Sequence, residues 1–379
     1  MSIAQPSPDQ RTHSRGRIAT RFCPPVPAWG SQRTFANEFL PRLLAHLPPG
    51  LVYSSLESIP GYSGELVAAR NPLCVPGMSR RLWALARYHL TFGRELRAAG
   101  AAVLFCPFNN EGVAFPRGVR QVLIVHDLVP VLFPRDYLVS RLLWATLYGL
   151  ALRRAHHVIC VSEATRTDLI RLLRLSPTRV SVVYNGYTPP VRVIPRAPQP
   201  RLLYVASAHS SHKNIGRLLE AFAGSSLRHT HELRVVGTPH PRTTVDLTKR
   251  ALRPDLAGRV HFLSRISSDA LEAEYAAAEI FVYPSLCEGF GLPLLEAMAR
   301  GVPVCAARGS AVSEVGGEAA AYFDPRDPDD IRRVLEQLAA DRELQATLVA
   351  RGLARVGDFS WEKSAAQCAA VCLAAAIDT

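Results

Sequence analysis

Residues 283–307 read YPSLCEGFGLPLLEAMARGVPVCAA, and the fold can be read outward from this stretch. It begins at the end of a short apolar run, Ile280 to Tyr283, of strand type. A glycine-containing loop follows, Glu288-Gly289-Phe290-Gly291, and a helix opens near Leu292 with Pro293 in its first turn, where proline is tolerated. Strand, glycine loop and helix in immediate succession set the loop at the carboxyl end of a strand. The glycines let backbone approach a ligand closely, and the first-turn amides carry the positive end of the helix dipole, so such a place binds phosphate. Glu296 lies eight residues after Glu288, about one turn into the helix. Both carboxylates can therefore face one cavity and accept hydrogen bonds from hydroxyl groups.

The same alternation extends in both directions. Toward the C-terminus, strands are expected at Leu202 to Ala206, Glu232 to Val236, Val260 to Leu263, Ile280 to Tyr283 and Val302 to Ala306. Helices near Asn214 to Phe222, Asp269 to Ala278, Leu292 to Arg300, Asp329 to Ala340 and Ser360 to Ala376 separate or follow them. Toward the N-terminus, strands are expected at Arg17 to Phe22, Gly50 to Ser54, Ala102 to Pro107, Gln121 to His126, His157 to Val161 and Val180 to Tyr184. Helical stretches near Arg33 to Leu47, Ser79 to Ala98, Tyr137 to Ala155 and Glu163 to Leu173 lie between them. Short β-branched runs alternating with helices indicate parallel sheets covered by helices. Between the two series stands TPPVRVIPRAPQP, whose five prolines forbid a helix or a central strand. The expected organisation is a disordered basic tail over 1–16, a Rossmann-like domain over 17–187, a proline-rich linker over 188–200, a second Rossmann-like domain over 201–358, and a terminal helix over 359–379. This is an α/β class of two doubly wound domains facing a central cleft, where such sheets place ligands.

Composition narrows the function. The 379 residues carry 44 Lys and Arg against 32 Asp and Glu, a formal charge of +12, with 48% hydrophobic and 20% charged residues, which excludes disordered and fibrous classes. Residues 1–187 hold 22 basic and 10 acidic side chains, so the whole surplus of 12 lies in the first half. No apolar run reaches the length of about 18 residues that a membrane-spanning helix needs, and the polar N-terminus does not read as a secretory signal. The eight cysteines form no C-x-x-C pair or zinc-like cluster, and a cytoplasmic, reduced compartment fits them. No recognised DNA or RNA module interrupts the pattern, so a nucleic-acid partner is not expected.

The run Glu288-Gly-Phe-Gly-Leu-Pro-Leu-Leu-Glu296-Ala-Met-Ala-Arg-Gly-Val-Pro-Val resembles the E-x7-E signature of retaining nucleotide-sugar glycosyltransferases of the GT-B fold, glycosyltransferase family 4. LYVASAHSSHKN, Leu203 to Asn214, resembles the family's first C-domain strand and the loop that presents a basic residue to the donor diphosphate. VSVVYNGY, Val180 to Tyr187, resembles the segment that closes the N-domain. Val125-His126-Asp127-Leu128, with Pro130 and Phe133-Pro134, resembles the histidine loop of the bacterial mannosyltransferase-like branch. Asp358-Phe359-Ser360-Trp361 resembles the start of a terminal helix that crosses back toward the N-domain. The resemblance implies that Lys213 neutralises the donor diphosphate, and that Gly289, Phe290, Gly291 and Leu292 cradle the distal phosphate. Glu296 would hold the nucleotide ribose, Glu288 the transferred sugar, and His126 would sit beside that sugar from the N-domain side. Lys213, Glu288 and His126 are thus the expected catalytic set.

Two departures stand out. Many relatives carry an arginine five or six residues before the lysine, where this chain has Ala208 and Ser207; either His212 or His209 compensates, another arginine such as Arg265 reaches in, or donor affinity is lower. The loop Pro27 to Gln32 has a single Gly30, followed by Ser31, where relatives usually have two glycines for a phosphate contact. The resemblance also implies a retaining transfer assisted by the departing diphosphate, without metal or cofactor. Asp327-Pro328-Asp329 reads as a helix cap. GDP-mannose heads the implied donors, ahead of UDP-glucose, other UDP-sugars and dTDP-rhamnose, with a saccharide or lipid-pyrophosphate-linked acceptor in polysaccharide or lipopolysaccharide assembly. A nucleotide-sugar epimerase and a non-catalytic sugar-nucleotide-binding protein are the alternatives from other classes. In Ser79 to Ala98, Arg80, Arg87 and Arg94 recur every seven residues. That stripe reads either as a solvated helix face or as a patch for peripheral contact with an anionic membrane.

Overall fold

The computed structural model describes residues 17–22, 31–54, 59, 62, 65–68, 80, 91–108, 118–137, 146, 148–190, 194–208, 210–238 and 243–377. Two compact units emerge. The first takes Met1–Leu128, Val139–Gly186 and Trp361–Thr379, and the second takes Val129–Leu138 and Tyr187–Ser360. Residues 1–16, Gly30 and Arg87 lie outside the described residues.

The first unit holds β1 (Arg17–Phe22), β2 (Leu51–Ser54), β3 (Glu65–Ala68), β4 (Ala101–Cys106), β5 (Arg120–Val125), β6 (His157–Cys160) and β7 (Val180–Val182). They form one sheet in the order β3-β2-β1-β4-β5-β6-β7, parallel throughout. β4 and β5 read AAVLFC and RQVLIV and are buried along almost their whole length, as strands covered on both faces must be. The terminal helix Trp361–Ile377 belongs to this unit. Arg120 Nη1 donates to the Ala375 carbonyl at 2.8 Å, and the Trp361 ring packs edge-on against Phe35 and Phe39. Gly186 makes that docking possible, because a Cβ there would stand 2.1 Å from the Trp361 amide nitrogen.

The second unit holds β8 (Arg201–Ala208), β9 (Glu232–Thr238), β10 (Val260–Leu263), β11 (Ile280–Tyr283), β12 (Val304–Ala307) and β13 (Ala320–Phe323). Their order is β10-β9-β8-β11-β12-β13, again all parallel. The chain therefore winds outward from β8 in one direction, then restarts beside it with β11. The carboxyl ends of these two neighbours, where the direction of winding reverses, are where open α/β sheets bind ligands.

Several elements were not expected. β3 and β13 are four-residue strands whose sequences, ELVA and AAYF, hold a single β-branched residue between them and so carry little strand signal. The helices Thr244–Ala251, Ser310–Gly316 and Arg342–Val356 are also additional. Arg342–Val356 follows the helix Pro328–Ala340 with Asp341 between them, whose side chain accepts the Leu344 amide and starts a new helix. Asp327 caps Pro328–Ala340 by accepting from the Asp329 amide. Of the helix expected over Tyr137 to Ala155, the described part is Gly149–Arg154 with π-type turns at Thr146 and Tyr148.

Candidate functional site

Lys213 and Glu288 are 75 positions apart, yet Lys213 Nζ donates to Glu288 Oε1 at 2.6 Å. Lys213 follows β8 at the end of the 3-10 turn Ser211–Lys213, and Glu288 follows β11. Adjacency of those strands brings the two loops together. Asn214 locks the arrangement. Its left-handed backbone, φ 60°, suits an asparagine, and its side-chain amide donates to the carbonyls of Pro284 at 3.0 Å and Pro325 at 2.7 Å. The Leu286 amide adds a 2.8 Å bond to the His212 carbonyl.

Both members of the ion pair are nearly buried, each with 11% of its side chain exposed. Burial pushes the Glu288 carboxyl up, but the charges of Lys213 and His212 together with hydrogen bonding outweigh it and hold the group below its ordinary value. An ammonium group has three donors. Glu288 occupies one of those of Lys213, leaving the ammonium able to donate to further oxygens.

Five residues beyond the loop the electrostatics change. Glu296 sits on the helix Leu292–Ala299, and burial raises its carboxyl above the ordinary range despite a hydrogen bond from Tyr275 and the nearby Arg300 charge. Tyr275 Oη donates to Glu296 Oε2 at 2.9 Å. Arg300 pairs with Glu272 rather than with Glu296. The carboxylate thus meets a neutral donor.

Gly291 precedes that helix with φ 102°, a conformation that favours glycine, so the turn from Phe290 into the helix needs this residue. Phe290 is buried and packs edge-on against Phe359 at 5.5 Å. Arg355 lies over the other partner, 4.9 Å from the Phe359 ring. Phe290 is thereby held in place, with Leu292 opening the helix whose first turn carries positive dipole.

His126 lies in the first unit, at the end of β5. Its Nε2–H donates to the Pro107 carbonyl at 2.7 Å, and its ring stacks near Phe108 and meets Phe35 edge-on. Burial lowers its pKa to about 4, against the opposing effect of the Pro107 bond. The imidazole is therefore neutral at pH 7, an orienting and hydrogen-bonding group. Ser31 opens the helix Ser31–His46. Arg80 and Arg94 are both exposed.

Of the three candidates to replace the missing arginine, His212 lies next to Lys213 and its charge acts on Glu288. It is buried, with Nδ1 3.1 Å from Ser210 Oγ. Arg265 is exposed after β10, and β9 separates that strand from β8. His209 lies outside the described residues.

Sequence reasoning missed Asn214, Tyr275, Arg300 and Glu272 as site residues. The four-residue step from Glu296 to Arg300 was a usable signal on a helix face. It placed Val129–Leu138 in the first domain, whereas that stretch belongs to the second unit. There Asp136 Oδ2 accepts the Ser211 amide at 2.7 Å, and the rings of Phe133 and Tyr137 stand 5.5 and 6.3 Å from that of His212. Nothing local in that stretch announces a partner 75 residues away.

The chain matches the family model for Glycosyl transferases group 1 over residues 199–341 and that for Glycosyltransferase Family 4 over residues 59–189. It is 32% identical over 268 residues to O-antigen chain mannosyltransferase B of Escherichia coli, covering 65% of this chain and 68% of that protein. It is 34% identical over 231 residues to the MMP alpha-(1->4)-mannosyltransferase of Mycolicibacterium hassiacum, covering 58% of this chain and 54% of that protein. Among solved structures it resembles the sucrose-phosphate synthase of Thermosynechococcus elongatus, with TM-score 0.73 and 21% identity over 94% of this chain and 98% of the other. It also resembles WaaG, a glycosyltransferase involved in lipopolysaccharide biosynthesis, with TM-score 0.68 and 19% identity over 93% and 99%. At those identities the structural likeness is one of fold.

Proposed function

Because the chain belongs to glycosyltransferase family 4, we propose that it moves a mannosyl residue from GDP-mannose to a saccharide or lipid-pyrophosphate-linked acceptor, with retention of configuration. The setting is assembly of a cell-surface polysaccharide or lipopolysaccharide. Lys213 paired with Glu288 at 2.6 Å, beside the glycine turn into Leu292–Ala299, is the observation that carries this reading. The names of the mannosyltransferase relatives support the choice of sugar.

Lys213 binds oxygens of the donor diphosphate through the ammonium donors that Glu288 leaves over. Helix amides at Leu292 and the loop backbone of Gly289 to Gly291 share the remaining negative charge. In the transfer the bond between the anomeric carbon and the diphosphate oxygen breaks, and the acceptor hydroxyl forms its bond from the same face. Its proton passes to a diphosphate oxygen. Charge accumulates on the leaving group as that bond breaks, so a fixed cation and fixed dipoles lower the barrier most at that moment. These positive groups do the work that a divalent cation does in other transferases, and no metal or cofactor enters the proposal. Glu288, kept ionised by Lys213, accepts hydroxyls of the transferred sugar, and Glu296 accepts those of the ribose. His126 contributes a neutral imidazole on the side of the first unit.

The basic surplus of the first 187 residues serves the acceptor or the anionic membrane that carries it, with Arg80, Arg87 and Arg94 as the contact stripe. Reversing those three charges is expected to weaken binding to anionic vesicles while sparing donor binding. Unchanged vesicle binding would return the stripe to a solvated face.

A thermal-shift panel of GDP-mannose, UDP-glucose and dTDP-rhamnose tests the donor, since a ligand that binds the native state raises the melting temperature by mass action. GDP-mannose is expected to give the largest rise. A shift with UDP-sugars alone would overturn the mannosyl assignment, and conversion of a donor without acceptor would point to epimerisation.

A further inference from the structure

Glu296 is held by a frame of residues that no part of the phosphate loop supplies. Tyr275 reaches it from another helix, Ser268–Ala277, and is fully buried. The Arg300 guanidinium covers the Tyr275 ring at 4.7 Å from its centroid. Arg300 is itself fixed on three sides. Two of its nitrogens donate to the Glu272 carboxylate, and Nη1 donates to the Glu296 carbonyl at 2.7 Å and to Tyr187 Oη at 3.1 Å.

The frame has a chemical consequence. Glu272 engages the arginine charge, so what touches the Glu296 carboxylate is a hydroxyl on Oε2. Among the described residues, Oε1 accepts no hydrogen bond. A glutamate has three rotatable side-chain bonds, and one directional bond to a buried, stacked ring removes most of that freedom before any ligand arrives. The remaining acceptor sites are strong, unshared with a cation, and fixed in orientation.

We propose that Tyr275, backed by Arg300 and Glu272, is a positioning residue that orients Glu296 toward a ribose and thereby sets the preference for ribonucleotide over 2′-deoxyribonucleotide donors. The inference rests on the reading of Glu296 as the ribose-holding carboxylate. Its test separates the two. Calorimetric titrations with GDP and 2′-deoxy-GDP, repeated with UDP and 2′-deoxy-UDP, are run on the full chain, Glu296→Gln, Tyr275→Phe and Glu272→Gln.

Glu296→Gln is expected to abolish most of the ribose preference. Tyr275→Phe is expected to weaken the ribonucleotide by about threefold to tenfold, the scale of misaligning one hydrogen bond to a charged acceptor, while leaving the deoxyribonucleotide unchanged. Glu272→Gln, which frees Arg300 without touching Glu296, is expected to move the preference in the same direction by less. A loss of preference in Glu296→Gln with full preference in both Tyr275→Phe and Glu272→Gln would overturn the positioning role. Equal weakening of ribo- and deoxyribonucleotides in Tyr275→Phe would do the same, marking the tyrosine as merely structural. Full preference in Glu296→Gln would overturn the ribose reading and the inference with it.

Discussion

Glu288 and Glu296 belong to one stretch of chain, one on the loop and the other a turn into the following helix, and both are partly buried. Their surroundings are opposite. Glu288 has an ammonium group at 2.6 Å and is held below the ordinary carboxylate range. Glu296 has a phenol at 2.9 Å, while Arg300 is paired with Glu272, and burial raises it. A buried carboxylate with a cation is a charged pair ready for another charged group. One with a hydroxyl partner is an acceptor ready for more hydroxyls. In the function proposed above, the charged pair takes the diphosphate end of a nucleotide sugar and the hydroxyl-bound carboxylate takes the ribose.

The largest effect is expected from Lys213→Ala. Removing the cation at the leaving group should lower transfer by about 10²- to 10³-fold, the magnitude seen when one preorganised transition-state contact is lost, with the melting profile showing a folded second unit. Steady-state rates with saturating donor check this. Activity near that of the parent would break the assignment of the loop to the diphosphate.

Next come two isosteric changes that should act with opposite sign on stability. Glu288→Gln leaves the buried Lys213 ammonium without its counter-charge, and breaking a buried pair from one side costs about 3 kcal/mol. The melting temperature of the second unit should fall by several degrees. Glu296→Gln removes a carboxylate that burial penalises, keeps an acceptor for Tyr275, and should leave the empty protein as stable or slightly more so. Two destabilised variants of equal size would erase the distinction.

The pH dependence sharpens it further. Glu288, with a depressed folded-state pKa, contributes stability that is present above its unfolded value, about 4.3, and is lost as pH falls through the folded one. Glu296, with a raised one, favours the fold below that unfolded value, and this advantage is lost as pH rises through its folded value. Denaturation midpoints from pH 3 to 7 should therefore show the acid-side loss shrinking in Glu288→Gln. In Glu296→Gln, the stability relative to the parent should improve as pH rises.

Much of this was readable before any coordinates. Gly291 and Pro293 mark the turn and the helix start because glycine admits the left-handed backbone while proline presets the first helical turn, and continuous apolar runs such as AAVLFC mark strands covered on both faces. Tyr275 and Arg300 were not legible, since a tyrosine in the alanine-rich run YAAAEI looks like any core residue until the neighbouring helix is packed on it. Asp136 was illegible in a stronger sense, because its partner is a backbone amide brought near by tertiary structure. The strand β13, reading AAYF, lacks the β-branched residues that marked strands of the same length such as IFVY. The missing arginine was visible as an absence, while the placement of His212 at the same corner required the loop to be folded.

The division of labour between the two carboxylates is tested most directly by calorimetric binding of guanosine and GDP to the full chain and to Lys213→Ala. Lys213 serves the diphosphate in this account, so the variant should lose about tenfold or more in affinity for GDP, the scale of one charge-assisted contact, with guanosine affinity unchanged. Equal loss for guanosine and GDP, or no loss for either, would contradict it.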